Sequence, residues 1–402
     1  MSNTHWMSDT PLRQPSNRPP PPPSGNARLR GALLGCGFIA ENGHLPAYRA
    51  QAGSALPLEI VAIAEPNAAR REKAGKLVPG AVLYEDPDQL LAKEAGRLDY
   101  VDIATPPYDH ARLAHLALDK GLHVLCEKPM ATNPADARSV LEHAMRARRV
   151  FFPCHNYKHA PVVKAVRQVL DSGLIGKVNL VTLHTFRNTH AKGVAEWRPD
   201  WRREKKYSGG GIAMDHGAHT FYLAFDWLGG YPSAITAKMT TTQTAPTGGK
   251  FDTEDNFSCT MTFPEGIASA HLTWTAGVRK VIYTIQGSHG AIRVEDDDVE
   301  VAVMASRNAS TKDVNVAASA GKNVTWELKK EQISSEWMDA GHSVWFRSLF
   351  EQFKGAIEAN DYVGPEARDG LRCVELIATA YASANDGCRE LPLDSERASF
   401  DR

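Results

Sequence analysis

A strand that breaks into closely spaced glycines and resumes as a helix restricts a chain to few folds, and this sequence begins that way. Arg30-Gly31-Ala32-Leu33-Leu34 is a short apolar run, Gly35-Cys36-Gly37-Phe38-Ile39-Ala40 follows it, and helix-compatible sequence continues through Tyr48 and Ala50. This is the Gly-x-Gly-x-x-Ala form of a dinucleotide fingerprint, placed between strand and helix, where the pattern carries meaning. Gly35 permits the tight turn, Gly37 lets the backbone approach a pyrophosphate, and Ala40 lets helix and strand pack closely. A pyrophosphate would lie on the free N–H groups at the helix start, in a turn that also holds Cys36, Phe38 and Ile39. Taken alone, the match is open to a flavin, a methyl donor or a turn without a ligand.

The neighbouring segments narrow the choice. A second apolar strand, Leu58 to Ala64, ends at Glu65. A carboxylate at that tip accepts from both hydroxyls of a ribose diol. Its charge repels a 2′-phosphate, so NAD is preferred to NADP, which Arg70 and Arg71 keep open. The Gln51–Pro57 loop accounts for the long spacing from the glycines. Strands and helices then alternate: helix Ala68–Leu77, strand Ala81–Tyr84, a helix capped by Asp86, strand Tyr100–Ala104, helix Asp109–Lys120, a strand at Leu122–Leu125, a helix capped by Asn133, and strand Val150–Phe152. That rhythm implies a doubly wound parallel sheet covered on both faces, over residues 28–153. The Leu122–Leu125 strand runs into Cys126-Glu127-Lys128-Pro129-Met130. Ligands in such sheets sit at the carboxyl ends of strands, so Lys128 reaches the mouth of a site. Pro129 is a candidate for a cis peptide bond. A solvated Glu127–Lys128 pair is the plainer alternative.

After Pro153 the rhythm changes. A helix at Lys164–Leu170 precedes threonine- and valine-rich runs at 178–187, 234–242, 256–263, 268–274 and 281–286, with a turn at Phe263–Ile267. Strands in sequence without intervening helices imply an α+β domain, 154–402, built on a large, mostly antiparallel open sheet. Two amphipathic helices, Val344–Ala359 and Glu366–Asn385, close it. An apolar outer face of that sheet would make a homodimer or homotetramer. Residues 1–27 are polar and proline-rich, and predict a disordered or polyproline-like tail rather than a signal peptide. A net charge of −1 points to neither nucleic acid nor a membrane surface. Six scattered cysteines without a Cys-x-x-Cys pair predict free thiols and a reducing, cytoplasmic setting.

The second half carries its own constellation, Gly209-Gly210-Gly211-Ile212-Ala213-Met214-Asp215-His216-Gly217-Ala218-His219. If Ile212 onward is helical, Asp215 and His219 share a face. An acid/base histidine beside a carboxylate fits, as does a helix-start histidine with no catalytic part. Asp215, His216 and His219 as metal ligands is the weakest option, since no zincin pattern or cysteine partner is near. Between Phe186 and Tyr207 lie Arg187, Trp197, Arg198, Trp201 and Arg202, aromatic faces and fixed donors that suit a polyhydroxylated ring or an anionic group on one.

On these residues the chain resembles the Gfo/Idh/MocA family of nicotinamide-dependent oxidoreductases. The match rests on Gly35-Cys36-Gly37-Phe38-Ile39-Ala40, Glu127-Lys128-Pro129, and Gly209-Gly210-Gly211 leading to Asp215-x-Gly217-x-His219. Thr105-Pro106 followed by His110, and Asn156-Tyr157-Lys158, are also similar, although the family often has arginine where Lys158 stands. The resemblance implies a Rossmann domain followed by an open-sheet domain, bound NAD(H) or NADP(H), and Lys128, Asp215 and His219 at the reacting centre. Thr105, Pro106, His110, Glu127 and Lys128 would then face the cofactor, and Asn156, Tyr157, Arg187, Trp197, Arg202 and His216 the substrate. The expected activity is NAD-dependent oxidation of a sugar, sugar derivative or cyclitol hydroxyl. Alternatives are a glycosidase that oxidises transiently and returns the hydride, and a nucleotide-binding regulator without catalysis.

Overall fold

The computed structural model describes residues 28–50, 58–246, 248–304, 326–333 and 343–393. The proline-rich tail and the Gln51–Pro57 loop lie outside them. Six parallel strands form the first sheet: β1 (Leu29–Leu34), β2 (Leu58–Ala64), β3 (Val82–Tyr84), β4 (Tyr100–Ile103), β5 (His123–Cys126) and β6 (Phe151–Pro153), in the order β3-β2-β1-β4-β5-β6. The order reverses between β1 and β4, which opens a crevice at their carboxyl ends. The helices α1 (Leu45–Ala50), α2 (Ala68–Leu77), α3 (Pro87–Glu94), α4 (His110–Asp119) and α5 (Pro134–Ala147) alternate with the strands. Asn67, Asp86 and Asn133 accept N–H groups at three of the helix starts. The helix after the glycine turn opens with a wide π turn, Ala40–His44, which carries His44 into the interior.

The second sheet has nine strands: β7 (Val178–Phe186), β8 (Ala234–Thr240), β9 (Asn256–Phe263), β10 (Gly266–Thr273), β11 (Lys280–Gly287), β12 (Gly290–Glu295), β13 (Asp298–Met304), β14 (Trp326–Gln332) and β15 (Leu391–Pro392). Their order is β14-β13-β12-β11-β7-β10-β9-β8-β15, and the β7–β10 pair is parallel while its neighbours are antiparallel. Strands β12 to β15 were not foreseen from the sequence. β12 and β13 are joined through Asp296-Asp297, a charged turn with φ +50° at Asp296, and β14 is dominated by charged residues. The short α7 (Lys205–Ser208) precedes α8 (Ile212–Leu228), which with α6 (Pro161–Asp171) covers the inner face. Phe221, Tyr222, Ile235, Phe257, Trp274 and Ile285 are fully or almost fully buried there.

The two late helices do more than close the second sheet. α9 (Ser343–Ala359) packs Phe346, Leu349, Phe350 and Phe353 against Leu33, Tyr100 and Phe152 of the first. α10 (Pro365–Asn385) divides its face: Ala367, Leu371 and Val374 join the first core, while Cys373, Leu376 and Ile377 join the second. A parallel sheet has two apolar faces to cover, and the end of the chain supplies part of the cover. All six cysteines are free. No described helix is long and apolar enough to cross a membrane.

Candidate active site

At the crevice, Gly35 adopts φ +91°, and a Cβ there would stand 3.0 Å from the Ala104 carbonyl and Thr105 Cγ2. The turn is tied to Glu65: Cys36 N–H donates to Oε2 at 2.8 Å and Asn67 N–H to Oε1 at 2.9 Å. Buried Arg70 donates to the Cys36 carbonyl at 3.0 Å and pairs with Glu41 at 2.6 Å. Arg71 donates to the Pro66 carbonyl at 3.0 Å. Both arginines are thus engaged by the protein. In front of Gly37, apart from its chain neighbours, no atom of the described residues lies within 4 Å of where a Cβ would stand. Beside the turn, Thr105 Oγ1 is buried without a partner among the described residues. Open space in front of Gly37 and the unpartnered Thr105 hydroxyl fit a dinucleotide here. Phe38 is exposed and Ile39 and Pro106 half-buried at the same edge. His110 is placed differently. It is fully buried, with its ring nitrogens 2.8 Å from the Pro129 carbonyl and 2.7 Å from the Thr105 carbonyl, so it braces two loops from behind. Burial lowers its pKa, and the neutral ring can donate to one of those carbonyls.

The β5 exit is built on a buried ion network. Glu127 Oε1 lies 3.0 Å from His44 Nε2, and Asp102 Oδ2 lies 2.7 Å from His44 Nδ1. Tyr48 donates to the same Asp102 oxygen at 3.0 Å. Burial pushes His44 down, but the Asp102 and Glu127 carboxylates outweigh it and hold the imidazole at about 10. Lys128 follows, and its bond to Pro129 is cis. Lys128 Nζ donates to the Asp215 carbonyl at 2.7 Å and to Asp215 Oδ1 at 3.2 Å, joining residues 87 positions apart.

Asp215 and His219 both sit in the first half of α8. That helix start is anchored by Glu254, a buried carboxylate that accepts from Gly211 N–H and Ala213 N–H, each at 2.9 Å, and from Tyr381 O–H at 2.8 Å. A Cβ on Gly211 would lie 1.9 Å from the Glu254 carbonyl oxygen, so the glycine run admits a neighbouring strand end rather than a ligand. Arg202 Nε donates to Asp215 Oδ1 at 3.3 Å. Burial would raise the Asp215 pKa, but the Lys128 and Arg202 charges hold it well below the carboxylate range. His216 Nε2 is 3.8 Å from Asp215 Oδ2; burial, aided by the Arg187 charge, outweighs Asp215 and lowers the imidazole to about 3.

His219 is held on two sides. Its ring stacks on Tyr157 at 3.9 Å and 13°, and its Nδ1 is 2.6 Å from the Tyr222 hydroxyl. Burial, then the Lys128 charge, pushes its pKa well below the usual value, so the ring is neutral. Asn156 is buried beside Tyr157 with Oδ1 unpartnered among the described residues, and Arg187 interacts with Tyr157. Trp197 stands apart, its ring 5.5 Å from Tyr207. Of the sequence-selected residues, Lys128, Arg202 and His216 thus gather on Asp215, and His219 stacks on Tyr157 with its ring centroid 6.0 Å from that of His216. Tyr222, Glu254, Tyr381, His44 and Asp102 were not selected. Tyr222 is three residues after His219, a spacing that places two side chains on one helix face and is a usable signal. The others rest on pairings between distant segments.

Residues 29–155 match the model of an oxidoreductase family with an NAD-binding Rossmann fold, Gfo/Idh/MocA, and residues 163–293 match that family's C-terminal domain. The chain is 26% identical to a D-apiose dehydrogenase of Paraburkholderia graminis over 366 residues, covering 90% of this chain and 88% of that protein. It is 26% identical to an inositol 2-dehydrogenase of Rhizobium meliloti over 357 residues, covering 88% and 96%. A solved levoglucosan dehydrogenase in complex with NADH and levoglucosan superposes with a TM-score of 0.73 at 20% identity, covering 92% of this chain and all of that one, a likeness of fold.

Proposed function

Because the chain belongs to the Gfo/Idh/MocA family of oxidoreductases, we propose that it moves a hydride between NAD and a secondary hydroxyl of a sugar, sugar derivative or cyclitol. The observation that carries this reading is the Lys128 ammonium bonded to Asp215, one helical turn before a neutral His219. Bound NAD supplies the hydride chemistry. His219 takes the hydroxyl proton, and Lys128 donates to the same oxygen as negative charge develops on it. Asp215 holds Lys128 and Arg202 and accepts from a neighbouring substrate hydroxyl. Asn156, Tyr157, Arg187 and His216 line the ring, with Trp197 at the rim. Residues 28–153 hold the cofactor through Gly35 to Ile39, Glu65, Thr105, Pro106, Glu127 and Lys128, and residues 154–402 hold the substrate. The fixed Glu65 carboxylate and the engaged Arg70 and Arg71 favour NAD over NADP. Relatives named for D-apiose and inositol support a polyhydroxylated substrate.

A second reading, the redox-neutral glycosidase, is favoured by one contact. Asn67 Nδ2 donates to the Glu196 carbonyl at 3.1 Å, so the segment after β7 reaches the nucleotide domain beside Glu65. A cofactor held behind such a bridge would exchange slowly, which would suit a cycle that returns its hydride. Products separate the two readings. Net NADH with a free sugar or cyclitol supports the dehydrogenase, glycoside cleavage at catalytic NAD supports the glycosidase, and neither product contradicts both. On the outer sheet face, Leu180 and Ile267 are register partners and 40% and 46% exposed, which supports a homodimer or homotetramer. A monomer in sedimentation would oppose that. Free thiols suit the cytoplasm.

A further inference from the structure

His219 has two ring nitrogens, and they are not equivalent. Nδ1 meets the Tyr222 hydroxyl at 2.6 Å. Nε2 has no hydrogen-bond partner among the described residues and is not among the fully enclosed polar atoms. Tyr222 is itself fully buried, and its hydroxyl accepts the Tyr157 backbone N–H at 3.2 Å. The ring of that same Tyr157 stacks on His219. One phenol oxygen therefore fixes both the edge of the imidazole and the segment that supports its face. It does so without adding a charge.

We propose that Tyr222 is the positioning residue of the proton-transfer step: it holds Nδ1 of His219, so that Nε2 is the nitrogen that exchanges a proton with the substrate oxygen. This rests on the reading of His219 as the base. In the oxidation direction the substrate O–H bond breaks, its proton bonds to Nε2, and the hydride from the adjoining carbon goes to NAD. The imidazolium so formed keeps Nδ1–H donated to the Tyr222 oxygen, and no proton passes through the phenol. A neutral holder matters because His219 already faces the charges of Lys128, from the loop after β5, and Asp215, from its own helix, beside the titratable rings of His216 and of His155 from the segment after β6. A carboxylate in place of Tyr222 would add attraction for the proton and favour the imidazolium at rest.

The test compares three variants of the full chain with NAD and a turned-over substrate. Tyr222→Phe keeps the ring and removes the hydroxyl; kcat should fall about tenfold while KM stays near its original value. Tyr222→Glu should move the acidic limb of kcat/KM upward by about one unit or more. His219→Ala, nearly inactive, certifies the reading on which the proposal stands. If His219→Ala is nearly inactive but Tyr222→Phe keeps its full kcat, Tyr222 does not position the base. If His219→Ala stays active, the base itself is misassigned. Should the Glu variant not fold, the kcat-against-KM split of the Phe variant decides alone.

Discussion

At the scale of single residues, the site depends on charge held in place. Asp215 is kept ionised by Lys128 and Arg202, and His219 is kept neutral by burial and by the same lysine. Because the His219 pKa is lowered, its basic form persists as pH falls through the ordinary histidine range. The kcat/KM profile for oxidation should therefore stay flat from about pH 8 to 6 as far as this residue is concerned; a limb near the ordinary value that disappears in His219→Asn would contradict the assignment. Gly37 offers a separate test. Apart from its chain neighbours, a methyl group there meets no atom of the described residues within 4 Å, so Gly37→Ala should melt like the parent while losing about tenfold or more in NAD affinity, read by calorimetry. Equal affinity would mean the pyrophosphate lies elsewhere. Lys128, Asp215 and His219 were legible in the sequence because each sits in a short motif with a chemical purpose. Tyr222 was legible only through its three-residue spacing from His219, because an isolated tyrosine in an apolar helix otherwise reads as core.

At the scale of elements, the positions of Lys128 and α8 are each set by a buried carboxylate. Glu127 and Asp102 clasp His44, brought inward by the π turn, and Glu254 clasps the first turn of α8. His44→Ala leaves two buried carboxylates without their cation and should cost about 3–5 kcal/mol in chemical denaturation. The pH dependence has a definite sign. The folded pKa is raised to about 10 from an ordinary value near 6.5, so the stabilisation is complete below the ordinary value and is lost as pH rises toward the folded one. The advantage of the parent over His44→Gln should shrink steadily across that window; a constant gap would show that His44 is neutral. The strands and helices of the first sheet were readable from period and caps. The π turn was not, since nothing in Ala40–His44 marks a wide turn in advance. Strand β14 was hidden by acidic and lysine-rich sequence that resembles loop, and β12 and β13 by the acidic run Glu295–Asp298 where they join, although both alternate between inward and outward residues.

At the scale of the whole molecule, two sheets that separate near residue 153 are fastened together by the chain's end. α9 lays four aromatic and aliphatic side chains on the nucleotide sheet, and α10 serves both cores. Sequence order could not show this, because amphipathicity says that a helix face is buried and not against what. Residues 28–153 alone should consequently lack a cooperative thermal transition, since Leu33, Tyr100 and Phe152 would lose their cover. A sharp transition from that fragment would make the late helices ornamental. The same fastening holds the Rossmann crevice opposite the start of α8, which is how an amine from one half reaches a carboxylate in the other. The most direct test of that convergence is a single-turnover measurement of NADH formation, run on NAD-loaded parent, Lys128→Ala and His219→Ala with a competent sugar or cyclitol. With NAD at saturating concentration, both variants should form NADH about a hundredfold more slowly or worse; a normal burst from either would contradict the account.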